Sequence, residues 1–377
     1  KQLMDADKEP AATKHAANFP GGPSGGGHPQ AVNPQGFLGP LLQALAGGEL
    51  DPKGAPNVGN REYAGSAAGQ GMAGLARAGA QLSVLARSDT LAALQKNGLQ
   101  LHQGGELHTV PVTASNDANV LGVQDLVVIS VKAPALATVA GQAGPLIGPN
   151  TVVLTAMNGV PWWFLQGFGG PVQNRALASV DPDGTITRAI PAPHVVGCVV
   201  HASCSVDAPG VIRHHFGDGL IVGEPSGQAS ARVQALHALL QQAGFNATLS
   251  PQIQKDIWYK LWGNMTVNPV SAITGATTDQ ILDDELVRGF ISSVMLEAKA
   301  IGERIGIPID QNPEDRHAVT RKLGAFRTSM LQDVQARKPI ELDALVGAVR
   351  ELGQMTGVAT PFTDALMGLT RVFVKNL

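Results

Sequence analysis

The apolar positions of this chain fall into two regimes. Between Leu75 and residue 250, short, nearly continuous runs of Val, Leu and Ile alternate with segments of helical period. LARAGAQLSVLAR reads as a helix end, a stop at Gly79 and a strand over 81–86. The runs DLVVISVKA (125–133) and NTVVLTAMNG (150–159) end in polar residues, as expected of parallel strands buried on both faces, and PALATVAGQAGPLIG between them supplies a crossover helix. VVGCVVHASCSV, GVIRHHF and GLIVGE predict further strands, some antiparallel because the links are short, and ARVQALHALLQQAG returns to a helix. From Asp256 onward helical periodicity runs almost to Leu377. The pattern predicts an α/β fold, an open sheet domain over 61–250 followed by an all-helical domain over 251–377.

Residues 1–60 lack this patterning. They are rich in Gly, Pro, Ala, Asn and Gln, with GGPSGGG at 21–27, and a segment of that kind buries too little apolar surface to offset its chain entropy. A largely disordered tail is expected, with FLGPLLQALAG (37–47) as a short amphipathic turn of helix within it.

Composition narrows the function classes. With 377 residues, 44% hydrophobic and 15% charged, the chain has the balance of a two-domain globular protein, and no run of about twenty apolar residues could span a bilayer. A net charge of -3 with scattered Lys and Arg argues against a nucleic-acid partner. Cys198 and Cys204 do not make a disulfide framework and read as buried free thiols. No charged n-region and apolar h-region opens the sequence, so a cytoplasmic enzyme is expected. His214 and His215, adjacent on a strand, point to opposite faces, and no metal site is expected there. PWWF (161–164) reads as packing more than as pocket lining.

The candidate chemistry lies further along. In DIWYKLWGNMTVNPVSAITG (256–275), Lys260, Asn264 and Asn268 recur every four residues and therefore share one helix face, with Pro269 expected to end the helix and turn the last amide toward a cleft. Such a stripe is ordinarily a solvated face, but Ile257, Trp258, Leu261, Trp262 and Met265 cover most of the other sides, so it is expected to face a pocket. In TSMLQDVQARKPIELDALVG (328–347), Ser329 offers a hydroxyl, and Glu341 follows the break at Pro339, where a carboxylate would also suit a helix N-terminus.

Together, VKA (131–133), the pair Asn158–Gly159, KxxxNxxxNP (260–269), SMxQD (329–333) and ELDALVG (341–347) make the chain resemble the ketopantoate reductase family over residues 75–377. The resemblance implies a Rossmann-like NADP-binding domain, an all-helical substrate domain, and NADPH-dependent reduction of 2-dehydropantoate to (R)-pantoate, a step of pantothenate and coenzyme A biosynthesis. It implies Lys260 as general acid, Asn264, Asn268 and Ser329 as substrate contacts, Asn158 beside nicotinamide ribose and substrate, and Glu341 as a catalytic residue that fixes Lys260 or reaches the cofactor. The alternatives are another branched or aromatic 2-oxo acid, motivated by Thr278 where some family members carry a substrate-contacting Asn, or a binding protein that has lost its cofactor. The exposed helical domain is compatible with a homodimer.

The cofactor end is mixed. Arg87, ending the second strand, suits a 2'-phosphate and hence NADPH, and Lys132 adds a second cation. The glycine fingerprint, in the family's register, falls on Tyr63, Gly65 and Ala68, so YAGSAAG keeps only Gly65, with Gly69 following, and NVGNRE would be the preceding strand. The literal G-x-G-x-x-G at Gly69, Gly71 and Gly74 stands too close to Gly79 for a following helix and reads as accidental. Three readings of the departure stand: altered or out-of-frame N-terminal text, a remodelled loop that binds NADPH weakly, or a retired enzyme. The abrupt onset of similarity near Leu75 favours the first.

Overall fold

The computed structural model describes residues 42–45 and 66–377. Its first half is one mixed sheet. The strands are β1 (Leu42–Leu45), β2 (Leu82–Leu85), β3 (Leu99–Gln103), β4 (Glu106–Val110), β5 (Thr113–Ser115), β6 (Gln124–Ile129), β7 (Ile147–Ala156), β8 (Val195–Ala208), β9 (Val211–Gly223) and β10 (Asn246–Leu249). The helices among them are α1 (Ser66–Arg77), α2 (Ser88–Asn97), α3 (Ala118–Leu121), α4 (Leu136–Ala143), α5 (Thr185–Ala189) and α6 (Ala231–Gln242). The order β5-β2-β1-β6-β7-β8 is all parallel, with β9 antiparallel to β8 and then β3, β4 and β10 at the far side. That is the doubly wound order whose direction reverses between β1 and β6, where open α/β sheets bind ligands beyond the carboxyl ends of their strands.

Period-two alternation puts opposite residues of the parallel strands into two separate cores. Val127, Ile129 and Val153 join the cluster that includes Trp163 and α4. Leu126, Val128, Val152 and Leu154 join the one under α1 and α6. The first cluster continues into the helices that follow Leu249: α7 (Ile253–Thr274), α8 (Thr278–Asp283), α9 (Glu285–Ile305), α10 (Pro313–Arg321), α11 (Ser329–Gln335), a π-helical turn at Asp343–Gly347, α12 (Ala348–Thr356) and α13 (Pro361–Lys375). The α/β-then-helical architecture agrees with the sequence pattern.

Several local expectations change. FLGPLLQALAG supplies no helical turn over 42–45: Leu42–Leu45 is β1, paired in register with Leu82–Leu85 on one side and Leu126–Ile129 on the other. Four apolar-rich residues are too short for periodicity to tell strand from helix, and the neighbours decide. The rest of the expected tail, the NVGNRE strand, Tyr63 and Gly65 lie outside the described residues, whereas Gly69, Gly71 and Gly74 lie within α1. GVIRHHF and GLIVGE are one strand, β9. PWWF is core: Trp162, Trp163 and Phe164 are buried, and Trp163 Nε1 donates to Thr155 Oγ1 at 3.2 Å.

Candidate active site

α7 carries buried apolar side chains on nearly every side, among them Ile257, Trp258, Leu261, Trp262, Met265, Val267 and Val270, so it runs through the interior. Its Lys260–Asn264–Asn268 stripe runs from half-buried Lys260 and Asn264 to buried Asn268, 8% exposed. Pro269 does not end the helix, which continues to Thr274. A proline costs an internal helix about 3 kcal/mol through the lost N–H and ring crowding. Burial of Val270 and Ala272 in the next turn opposes that cost.

The Lys260 ammonium donates to Asn158 Oδ1 at 2.9 Å and to the Val200 carbonyl of β8 at 2.7 Å. An ammonium has three N–H donors, so these bonds leave one for a ligand. Burial lowers the Lys260 pKa from 10.5 to about 8, opposed by Cys198 and Glu341 and reinforced by Arg316. A lysine titrating there is still largely protonated at neutral pH yet gives up its proton far more readily than a free one.

Asn158 is positioned by its neighbour. Gly159 has φ +81°, and a Cβ there would lie 2.8 Å from Ala344 Cβ in the π-helical turn. Val160 N donates to the Ala344 carbonyl at 2.9 Å, so the end of β7 is clamped on the helical half. π-turns concentrate at functional sites. Just before this one, Glu341 is 8% exposed and accepts from Ala133 N at 3.2 Å across the cleft. Burial raises its carboxyl pKa, against the pull of Lys132, the Ala133 amide and Lys260.

Ser329 opens α11, which packs on α7. The carboxamides of Asn264 and Asn268 and the Ser329 hydroxyl form no hydrogen bond among the described residues, which leaves them for a ligand. Lys132 ion-pairs with Asp333 of α11, a partner that sequence reasoning did not assign. Asp333 is largely buried, which raises its pKa while Lys132 lowers it. Arg87 stands apart from this cluster, beyond β2 at the start of α2. Thr278 is buried, and its hydroxyl donates to the Gly324 carbonyl at 2.6 Å and accepts from Phe326 N at 3.3 Å. The thiols of Cys198 and Cys204 are free, and burial pushes both up to about 12. His214 and His215 bond to the Gly217 carbonyl and to Ser205 Oγ respectively.

The arrangement joins a buried lysine ammonium that can give up a proton, hydrogen-bonding groups left for a ligand and a carboxylate bridge between sheet and helices. Residues 64–227 match the family model described as ketopantoate reductase PanE/ApbA, and 252–374 match its C-terminal model. The 2-dehydropantoate 2-reductase of Mesorhizobium japonicum is 44% identical over 309 residues, covering 82% of this chain and 95% of that protein. The crystal structure of a candidate ketopantoate reductase from Ralstonia solanacearum MolK2 superposes with TM-score 0.81 at 51% identity, covering 90% of this chain and 98% of that one. A D-mandelate dehydrogenase in ternary complex with NADH and anilino(oxo)acetate shares the fold, with TM-score 0.71 at 18% identity, 89% of this chain and 98% of that one. The chain belongs to the ketopantoate reductase PanE/ApbA family.

Proposed function

We propose that this protein reduces 2-dehydropantoate to (R)-pantoate with NADPH, in the cytoplasm, where its two free thiols stay reduced. The observation that carries the reading is Lys260: a buried ammonium held by Asn158 and the Val200 carbonyl, with its pKa brought down to about 8.

The residues at the carboxyl ends of the central strands fit such a cofactor in chemistry. Arg87 follows β2 and Lys132 follows β6, the two strands flanking β1. Arg87 supplies a permanent cation with a planar fork, suited to a 2'-phosphate. Lys132, neutralised by Asp333, offers donors more than net charge. Gly69 stands in the first turns of α1, whose N-terminal end suits phosphate. NADPH, when bound, supplies the hydride that adds to the 2-oxo carbon.

The chain's own groups do the rest. Lys260 Nζ points its remaining N–H at the substrate oxygen, stabilises the charge that develops there and then gives up the proton. Asn264, Asn268 and Ser329 orient the substrate through neutral donors and acceptors, so they fix its geometry without adding charge. Asn158 holds Lys260 in place and touches the reacting region. Glu341 ties Ala133 to the helical half and supports the ammonium electrostatically.

The direct test compares kcat/KM for 2-dehydropantoate with those for branched and aromatic 2-oxo acids, each with NADPH. Preference for 2-dehydropantoate is expected. A tenfold or greater preference for another acid would move the assignment to that acid, and no turnover of any would remove the reductase reading.

A further inference from the structure

α10 brings a cation to the flank of the catalytic stripe that the reaction, as derived above, does not use. The Arg316 guanidinium lies against α7 where that helix has no side chain. A Cβ at Gly263 would sit 2.7 Å from Arg316 Nε and 2.9 Å from its Nη2. Residue 263 follows Lys260 by three and precedes Asn264 by one, so it borders the face that carries both. The guanidinium also lies over the Tyr259 ring, with Cζ 5.2 Å from the centroid, Tyr259 and Gly263 being four residues apart on one face of α7. The Tyr259 ring and the bare backbone at Gly263 thus form the slot in which the guanidinium sits.

That fork lacks an anion. Nε is buried without a hydrogen-bond partner, and the guanidinium enters no ion pair among the described residues. Arg316 as a whole is half-buried, but its Nε is shut off from water without a partner, which is costly for a polar N–H and is relieved by a ligand that accepts from it. Its charge is felt at the reaction centre, where it depresses the pKa of Lys260 and of His201, the residue that follows Val200. A dianionic or bulky ligand is not required to satisfy it. A single planar carboxylate matches the fork geometry, and a carboxylate adjoins the reacting carbonyl of every 2-oxo acid.

The geometry points to Arg316 as the residue that binds the substrate's carboxylate, with Gly263 and Tyr259 as the slot that aims it. The inference rests on the reading of the protein as a 2-oxo acid reductase. It gives a division of labour along α7: Lys260 takes the carbonyl oxygen, Arg316 the carboxylate, and the carboxamides of Asn264 and Asn268 the remaining polar groups.

The test uses the full chain and two ketones that differ in charge: 2-dehydropantoate, an anion, and its neutral lactone. Arg316→Met should lower kcat/KM for the anion about 10- to 100-fold, the range of a charged hydrogen bond, with most of the loss in KM. The lactone's kcat/KM should stay within about threefold, and Arg316→Lys should recover part of the loss on the anion. Equal losses on both ketones, or no loss on the anion, would overturn the inference, the first by making the role structural. If the unmodified protein turns over neither ketone, the reductase reading has failed, and calorimetric binding of (R)-pantoate decides the point on its own. Binding weakened tenfold or more by Arg316→Met, with an unchanged melting temperature, upholds the carboxylate site; unchanged or absent binding removes it.

Discussion

Lys260 is held in its working position by groups far away in the sequence: Asn158 and the Val200 carbonyl, the latter sixty residues upstream. Removing the ammonium should therefore act on chemistry more than on binding. Lys260→Ala is expected to lower turnover by about 10²- to 10⁴-fold, the span of a general acid, while leaving NADPH affinity within a few-fold. Parallel losses in both would show a structural role instead. The depressed pKa also sets a pH profile. Its charged form, the donor in the proposed reaction, is present below about 8 and is lost as pH rises through that value. kcat/KM for reduction should consequently be flat near neutrality and fall tenfold per pH unit well above 8, and a limb placed near 10.5, the ordinary lysine value, would contradict the burial argument. At this scale the sequence was informative where spacing along one helix decides, as with Lys260, Asn264 and Asn268. It marked Asp333 as part of SMxQD without assigning its partner, and was silent on the Val200 carbonyl and Arg316, because these contacts join distant segments that no local pattern encodes.

Among the elements, the junction of β7 with the π-helical turn couples fold to site most tightly. Gly159 combines a left-handed backbone with a 2.8 Å approach to both Ala344 Cβ and its carbonyl oxygen. Gly159→Ala must push the turn away or drag Asn158 with it, because backbone on the facing side cannot rotate clear. A stability loss of about 1–3 kcal/mol is expected, with kcat falling by more than the melting behaviour alone explains because Lys260 loses its anchor. A variant with unchanged turnover would argue that Asn158 is positioned from elsewhere. The Lys132–Asp333 pair joins the loop after β6 to α11, and Lys132 keeps 28% of its side-chain exposure. Asp333→Asn should accordingly cost about 2–3 kcal/mol in a denaturant melt, below the ~3–5 of a fully buried pair. The element pattern itself was largely legible: α7 and the parallel strands β6 and β7 follow from apolar runs and period. β1 and β10 were not. LQAL and NATL are four residues each, and they become strands only through their partners, β2 and β6 for one and β9 for the other. Pro269 misled because the local cost of proline was weighed without the tertiary burial that offsets it.

On the scale of the whole molecule, the architecture sets where the proposed NADPH would meet the sheet. β1 occupies the centre of a doubly wound order, and its last residue, Leu45, is level with Leu85 and Ile129, so the crevice at the switch point is framed by Arg87 and Lys132. In folds of this class a glycine turn joins the first strand directly to its helix and lets the pyrophosphate approach the backbone. Here residues 46–65 lie between β1 and α1, and of the three fingerprint positions in YAGSAAG only Gly65 remains glycine. Under the proposed reading Arg87 and Lys132 supply the cationic side of the cofactor site, whereas the glycine positions depart from the family pattern. If Arg87 binds the 2'-phosphate as proposed, that contact and the glycine turn contribute separately, so saturable NADPH binding in the micromolar range is expected, measured by fluorescence or calorimetry. Arg87→Ala should weaken it about 10- to 100-fold while changing NADH affinity little, since only the 2'-phosphate distinguishes the two. Equal weakening for both nucleotides would place Arg87 elsewhere than at that phosphate. No saturable binding by the unmodified chain would mean that the departure at 63–69 has cost the cofactor, and would leave a protein that retains the 2-oxo acid cleft without the means to reduce what it holds.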